Sequence, residues 1–187
     1  DAYGGGMYMI VGTSYNSLFF DNYAQTQGGG IFLECATFYN NTIVNNTSNG
    51  TGGMHHWIDG GRASKLAVYN CLFYGNSGAA VGSENADDLE PFHNCYVQTA
   101  TEFELVNGEN VIKNKIPTDP DHNNQYGVGN ALANPFADAN YSTSLNLRLA
   151  GNSACINAGL NEPNNITLPD TDVDFATRIQ DCTVDIG

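Results

Sequence analysis

Short apolar runs bounded by asparagine recur along the first hundred residues. Each copy reads Asn, one residue, three mostly apolar residues, one residue and Asn, at 16–22, 40–46 and 70–76, with a fainter copy at 94–100. The copies begin 24, 30 and 24 residues apart. Three-residue runs are too short for helices, so the pattern predicts one brief strand per repeat with turns at the asparagines.

Glycine clusters share this period and extend the prediction. They lie at 4–6, 28–30 and 52–53, again 24 residues apart. A unit of this length is too short for two-helix repeats, and the chain lacks a leucine-rich pattern. The fold expected is therefore an all-β, right-handed parallel β-helix, in which each coil stacks on the next at about 4.8 Å.

The apolar runs also assign a face to each side chain, because successive residues of a strand point to opposite sides. The third position after the first Asn is expected to fill the interior of the coils, and its residues are Phe19, Ile43, Phe73 and Val97. The preceding position is expected to face outward or to lie beneath a covering segment, and its residues are Leu18, Thr42, Leu72 and Tyr96.

Composition fits such coils. The chain of 187 residues contains 25 Asn and 21 Gly. Both residues tolerate left-handed backbone angles at turns, and stacked Asn side chains form amide ladders. A role for these asparagines as sugar ligands is the alternative to the structural role.

The excess of acidic over basic residues limits the kinds of partner that the chain can bind. Six Lys and Arg stand against 20 Asp and Glu, for a net charge of −14. A nucleic-acid surface needs clustered Lys and Arg, so nucleic acid is excluded as a partner. No apolar run approaches the ~18 residues of a membrane span.

The repeat divides the chain into two parts of one continuous domain. Residues 1–101 form the coils, of which the third is six residues longer, and 102–187 form a last coil, an irregular region and a C-terminal cap over the end of the stack. The ends of the sequence suggest a piece of a longer chain.

The extra length of the third coil lies within 54–65 and predicts a loop on one flank, where solenoids commonly bind ligands. It contains the candidate ligand-binding residues Trp57, His55, His56, Asp59 and Arg62. Trp57 is suited to stacking on a sugar ring, and the other four to hydrogen bonds. The alternative is a loop that folds over the coils and buries Trp57 as packing.

The tail carries a resemblance to a known family. It reads Asn134-Pro135-Phe136-Ala137-Asp138, then 151–159 (GNSACINAG), then Asp170-Thr171-Asp172-Val173-Asp174, and ends at 184–187 (VDIG). The chain also has FxxN units, from Phe19 to Asn22 and from Phe73 to Asn76. With these units and the glycine clusters, this order resembles bacterial secreted β-helix proteins of the choice-of-anchor Q type, with polymorphic outer-membrane-protein-like repeats. Phe175-Ala176-Thr177 departs from the family's Gly-Asn-Pro. The resemblance implies a secreted or bacterial cell-surface protein and no single activity.

The five cysteines show no CxxC pair, which argues against zinc. Cys71 and Cys95 share a repeat position, and we expect two stacked thiols because their Cβ vectors would run parallel. Cys155 and Cys182 lie in the cap and are expected to form a disulfide that stabilises by roughly 3 kcal/mol. Cys35 is then unpaired and expected in the core.

Alternating carboxylates at Asp170, Asp172 and Asp174 are a candidate site for Ca²⁺ as a cofactor. Phe175 and Asp181 replace the Gly and Glu of an EF-hand, so that motif is excluded, and turn capping with a pairing to Arg178 is the alternative.

The function expected is non-catalytic binding or adhesion, with a polysaccharide or a surface protein as partner, within a larger surface assembly. A carbohydrate-active enzyme with its site partly outside this sequence, and a passive stalk, are the alternatives.

Overall fold

The computed structural model describes residues 2–57, 66–83, 92–97, 103–107, 110–114, 125–126, 134–162, 167–171, 185 and 187. Nearly all regular structure in these residues is β. The first two coils contain β1 (Met7–Tyr15), β2 (Leu18–Phe20), β3 (Tyr23–Ala24), β4 (Ile31–Tyr39), β5 (Thr42–Val44) and β6 (Thr47–Ser48). The next two contain β7 (Thr51–His56), β8 (Leu66–Tyr69), β9 (Leu72–Tyr74), β10 (Ala79–Ser83), β11 (Phe92–His93) and β12 (Tyr96–Val97). The last strands are β13 (Phe103–Asn107), β14 (Asn110–Asn114) and β15 (Gln125–Tyr126), followed by the short helix α1 (Tyr141–Ser144).

The strands stack into parallel sheets along the coil axis. An eight-stranded sheet runs β11-β8-β4-β7-β10-β13-β14, with β1 also paired to β4. A five-stranded sheet runs β15-β12-β9-β5-β2, and β3 pairs with β6. Among the strands that the structure describes, β14 alone is antiparallel, against β13. The predicted parallel β-helix is confirmed.

The longer third coil interrupts the long strand of the eight-stranded sheet. The first half of β4 pairs with β7 and its second half with β8, so the third coil has two strands where the second coil has one. The fourth coil is interrupted at the same level, because β10 pairs with β7 and β11 with β8. The first interruption falls within 54–65, where the insertion is predicted, and a second interruption lies beside it in the fourth coil.

The predicted interior stack is confirmed. Phe19, Ile43, Phe73 and Val97 all belong to one buried core, at most 6% exposed. Their registers place each ring or branched side chain against the next coil, Phe19 on Ile43 and Ile43 on Phe73. Close packing along the axis removes these side chains from water, which is the main term favouring the fold.

Asparagine serves both structural roles expected of it. Asn16, Asn40, Asn70 and Asn94 have φ between 49° and 54°, the left-handed angle that turns the chain between sheets. The second Asn of each repeat forms a ladder: the Asn22 amide donates to Asn46 Oδ1 at 2.9 Å, and the Asn46 amide to Asn76 Oδ1 at 3.0 Å.

The described part of the tail lies along the side of the coils, not over their end. Phe136 and Cys155 pack with Leu72, Tyr74 and Tyr96 on the outer face of the five-stranded sheet. The turn asparagines hold the tail there. Asn70 Nδ2 donates to the Leu160 carbonyl at 2.8 Å, and Asn94 Nδ2 to the Ala158 carbonyl at 2.7 Å. The tail therefore covers the outer side chains of Leu72 and Tyr96. This agrees with the second of the two expectations, that this position lies beneath a covering segment.

No disulfide joins any two of the described cysteines. Burial raises the pKa of Cys71 to about 12 and that of Cys95 well above its usual value. The expected stacked thiols are confirmed. Cys35 is half-buried. Cys155 is buried and Cys182 lies outside the described residues, so a Cys155–Cys182 disulfide stays a prediction.

Most of the exposed large hydrophobic side chains lie in the first coil, whose strand β1 pairs with β4. Seven of the nine in the described residues belong to this coil: Tyr3, Tyr8, Ile10, Val11, Tyr15, Leu18 and Tyr23.

Candidate functional site

The candidate residues of the third coil lie where β7 ends. His55 and His56 are its last two residues, and Trp57 follows with its backbone N–H donating to the Leu33 carbonyl at 2.8 Å. Asp59 and Arg62 lie outside the described residues. The structure therefore brings Trp57 and the two histidines to one place beside β4.

His56 is a buried, hydrogen-bonded residue. Its side chain has no exposed surface. Nε2 lies 2.8 Å from the Glu34 carbonyl oxygen, and Nδ1 lies 3.2 Å from Ser83 Oγ. These bonds tie β7 to both neighbouring coils. His56 has no surface with which to contact a sugar in this structure.

His55 is equally buried and lies on the outer face of the sheet. Its ring stacks on Phe32, with centroids 5.4 Å apart, and Nδ1 lies 3.1 Å from Thr51 Oγ1. Nε2 is buried and has no hydrogen-bond partner among the described residues. Burial, with a smaller effect from the neighbouring His56, lowers the pKa of His55 to about 4. His55 is therefore neutral at pH 7 and supports the aromatic rings beside it.

Aromatic rings surround Phe32 on this face. Tyr8 stacks on Phe32 at 5.3 Å with nearly parallel planes, Tyr3 lies tilted at 4.8 Å, and Trp57 lies tilted at 6.3 Å. Phe32 is buried, whereas Tyr8 is 51% exposed, Tyr3 is 40% exposed and Trp57 is partly exposed. We call Tyr3, Tyr8, Phe32 and Trp57 the aromatic patch. Its exposed rings form a surface suited to the apolar face of a sugar.

The register of the strands builds this patch. β1 pairs with β4 so that Tyr8 lies opposite Phe32, and β4 pairs with β7 so that Phe32 lies opposite His55. Tyr3 bridges to Gln27 just before these strands begin. Three coils therefore contribute one ring each to a row along the axis, and Tyr3 and Trp57 contact its central ring.

A shallow, open groove lies beside the bridge between Tyr3 and Gln27. It has a volume of about 430 Å³ and is lined by Gln25, Thr26, Gln27, Asn49 and Gly50. We call it the amide groove. Gln27, one of its residues, is the bridge partner of Tyr3. Its side chains offer amide and hydroxyl groups that both donate and accept hydrogen bonds, and none is charged.

The candidate metal residues are not brought together by the described part of the chain. Asp170 is exposed, and Asp172 and Asp174 lie outside the described residues, so a Ca²⁺ site there stays a prediction. Within the described ranges, no group of three or more His, Cys, Asp or Glu is placed to hold a metal ion. Likewise, no described helix has the length and apolar character that a membrane span requires.

Three residues of the aromatic patch were not recognisable from the repeat alone. Tyr3, Tyr8 and Phe32 belong to the stretches around the glycine clusters, and the apolar runs between asparagines assign no strand face to these stretches. The signal that could have found them is the 24-residue offset from Tyr8 to Phe32, which places them on the same face of adjacent coils.

Comparison of the chain with protein-family models, with curated proteins and with solved structures gives no match in any of the three.

Proposed function

We propose that this protein is a non-catalytic carbohydrate-binding protein that acts outside the cell or on a bacterial cell surface. The observation that carries the proposal is the aromatic patch, in which exposed Tyr3 and Tyr8 and partly exposed Trp57 contact the buried Phe32. Aromatic side chains have a large apolar face and few rotatable bonds, so they bind with little loss of conformational entropy.

The patch is suited to binding because its rings are held in place. Phe32 lies between Tyr8 and His55 in a stack, and the pairing of β1, β4 and β7 fixes the backbone beneath all three. A prearranged surface loses less entropy on binding than a flexible loop. A regular β-helix also provides a long, straight surface, which suits an extended polymer.

The location rests on the tail. The order from Asn134 to Gly187 resembles that of secreted β-helix proteins of the choice-of-anchor Q type, and we propose membership of that group on this resemblance. Surface attachment as part of a larger assembly follows from the same resemblance.

The test is binding to an array of immobilised polysaccharides and oligosaccharides. The wild-type protein is compared with Trp57→Ala and Tyr8→Ala, and with Tyr23→Ala as the matched control. Tyr23 is 63% exposed on β3 and is not one of the patch residues. We expect each patch variant to bind at least about tenfold more weakly, whereas the control binds as the wild type does.

Three other outcomes of this test would contradict the proposal. Conversion of a bound polysaccharide to shorter chains identifies a carbohydrate-active enzyme and overturns the non-catalytic role. An absence of binding across the array leaves a structural stalk. Equal losses in all three variants mean that the aromatic patch is not the binding surface.

A further inference from the structure

We infer that the ligand of the aromatic patch is an uncharged polysaccharide whose hydroxyl groups are bound in the adjacent amide groove. This inference rests on the proposed carbohydrate-binding function and specifies its ligand class. It follows from two separate features of the molecule: the charges of the chain around the patch, and the side chains that line the groove.

The charge distribution disfavours an anionic ligand. Residues 2–57, which contain the whole aromatic patch and the amide groove, include no Lys or Arg, and their acidic residues are Asp21 and Glu34. Arg62 and Lys65 follow Trp57 in the chain and lie outside the described residues. The whole chain carries −14. Carboxylate and sulfate groups on a polymer are bound through Arg and Lys in proteins, and the net charge repels them at low salt.

The amide groove supplies the complementary polar contacts. Sugar hydroxyls donate and accept hydrogen bonds, and so do the amide groups of Gln25, Gln27 and Asn49 and the hydroxyl of Thr26. Gly50 completes the lining. A polymer lying on Tyr3 can extend from the rings into the groove, because Gln27 is the bridge partner of Tyr3.

Apolar stacking together with neutral hydrogen bonds has a measurable signature. Binding through ion pairs weakens steeply with salt, because the Debye length falls from ~30 Å at 0.01 M to ~3 Å at 1 M. Stacking and neutral hydrogen bonds depend little on salt. The inference therefore predicts an affinity that is nearly independent of ionic strength.

The experiment is native affinity electrophoresis of the whole chain in gels that contain one polysaccharide each. The probes are a neutral glucan, a neutral mannan, a polyuronate and a cationic glucosamine polymer, each at low and high salt. We expect retardation by a neutral polymer, with an affinity that changes less than about twofold with salt. The double variant Gln25→Ala/Asn49→Ala is expected to weaken this binding by about tenfold, with Tyr23→Ala unchanged as the control.

The outcomes separate the inference from the function on which it rests. Binding of the polyuronate that Tyr8→Ala abolishes keeps the carbohydrate-binding function and overturns the inferred ligand class. Binding of the cationic polymer alone, lost at high salt, also overturns it, because net charge then explains the binding. Neutral-polymer binding that is equal in the double variant overturns the role of the groove. If none of the four polymers is bound in a way that Tyr8→Ala weakens, the carbohydrate-binding function itself is overturned.

Discussion

A single oxygen of Asn46 accepts two hydrogen bonds from Asn22, one from its backbone N–H at 3.0 Å and one from its side-chain amide at 2.9 Å. The Asn46 amide in turn donates to the Phe19 carbonyl at 2.8 Å and to Asn76 Oδ1 at 3.0 Å. Asn46 therefore links three successive coils from a fully buried position. Some of the many asparagines of this sequence, such as Asn46, therefore belong to the interior of the fold.

Removal of this side chain is expected to destabilise the whole stack. Asn46→Ala leaves buried donors and acceptors on both neighbouring coils without partners, at a cost of about 3 kcal/mol. Unfolding in urea, followed by circular dichroism, measures the loss. Asn49→Ala is the control, because Asn49 is exposed. Equal midpoints for the two variants would show that the ladder contributes nothing to stability.

The glycine cluster of the second coil is expected to tolerate no side chain at Gly29. A Cβ built there would lie 2.3 Å from the Thr47 carbonyl oxygen and 2.5 Å from that of Gly52. Both contacts are with backbone, which cannot move without shifting a coil, so Gly29→Ala should cost about 3 kcal/mol or more. A Cβ at Gly151 meets nothing within 4 Å, so Gly151→Ala is the matched control. Melting temperatures compare them, and a similar shift in both would contradict the packing described.

Stability is expected to fall in mild acid because of His55. Its pKa in the folded protein is about 4, below the usual 6.5, so the unfolded chain takes up the proton first as the pH falls. The contribution of His55 to the free energy of unfolding is complete above pH 6.5. It is lost progressively as the pH falls to about 4, by about 3 kcal/mol in total. His55→Phe keeps an aromatic ring and cannot titrate. The free energy of unfolding of this variant should therefore depend less on pH over that interval, and identical pH profiles would rule out this role.

The exposed apolar side chains of β1 are expected to promote aggregation of this chain. β1 (MYMIVGTSY) contains no charged residue and no proline, the residues that commonly prevent a strand from pairing with another chain. Val11 is 73% exposed in this strand. Val11→Lys should slow the growth of light scattering at high protein concentration, although it lowers the magnitude of the net charge. Leu145→Lys, at a site 62% exposed outside the first coil, is the control, and an equal effect there would exclude a special role for β1.

The coil architecture was predictable because it depends on spacing. Phe19 and Ile43 repeat every 24 residues, and a period of that length with one short strand per copy is specific to a solenoid. The second insertion was not predictable in this way. Asn70 and Asn94 keep a spacing of 24, because a shorter turn before β10 compensates for the residues added between β10 and β11.

The site was less predictable than the fold. Trp57 is recognisable from sequence as an unusual residue in an insertion, but His55 and His56 gave the same signal and are buried. Whether a polar residue faces solvent or the neighbouring coil depends on which strands pair, and hence on register. The contacts of Tyr3 and Tyr8 with Phe32 depend on the same register and become evident only in the folded chain.

The central claim, that the aromatic patch binds carbohydrate, is tested most directly by fluorescence. Trp57 is the single tryptophan of the chain, so its emission reports on this surface alone. Titration with a polysaccharide identified on the array should give a saturable change in Trp57 emission and protect the ring from quenching by acrylamide, and Tyr8→Ala should shift the midpoint to at least about tenfold higher concentration. Saturable binding by calorimetry with no change in Trp57 emission or quenching would contradict the account.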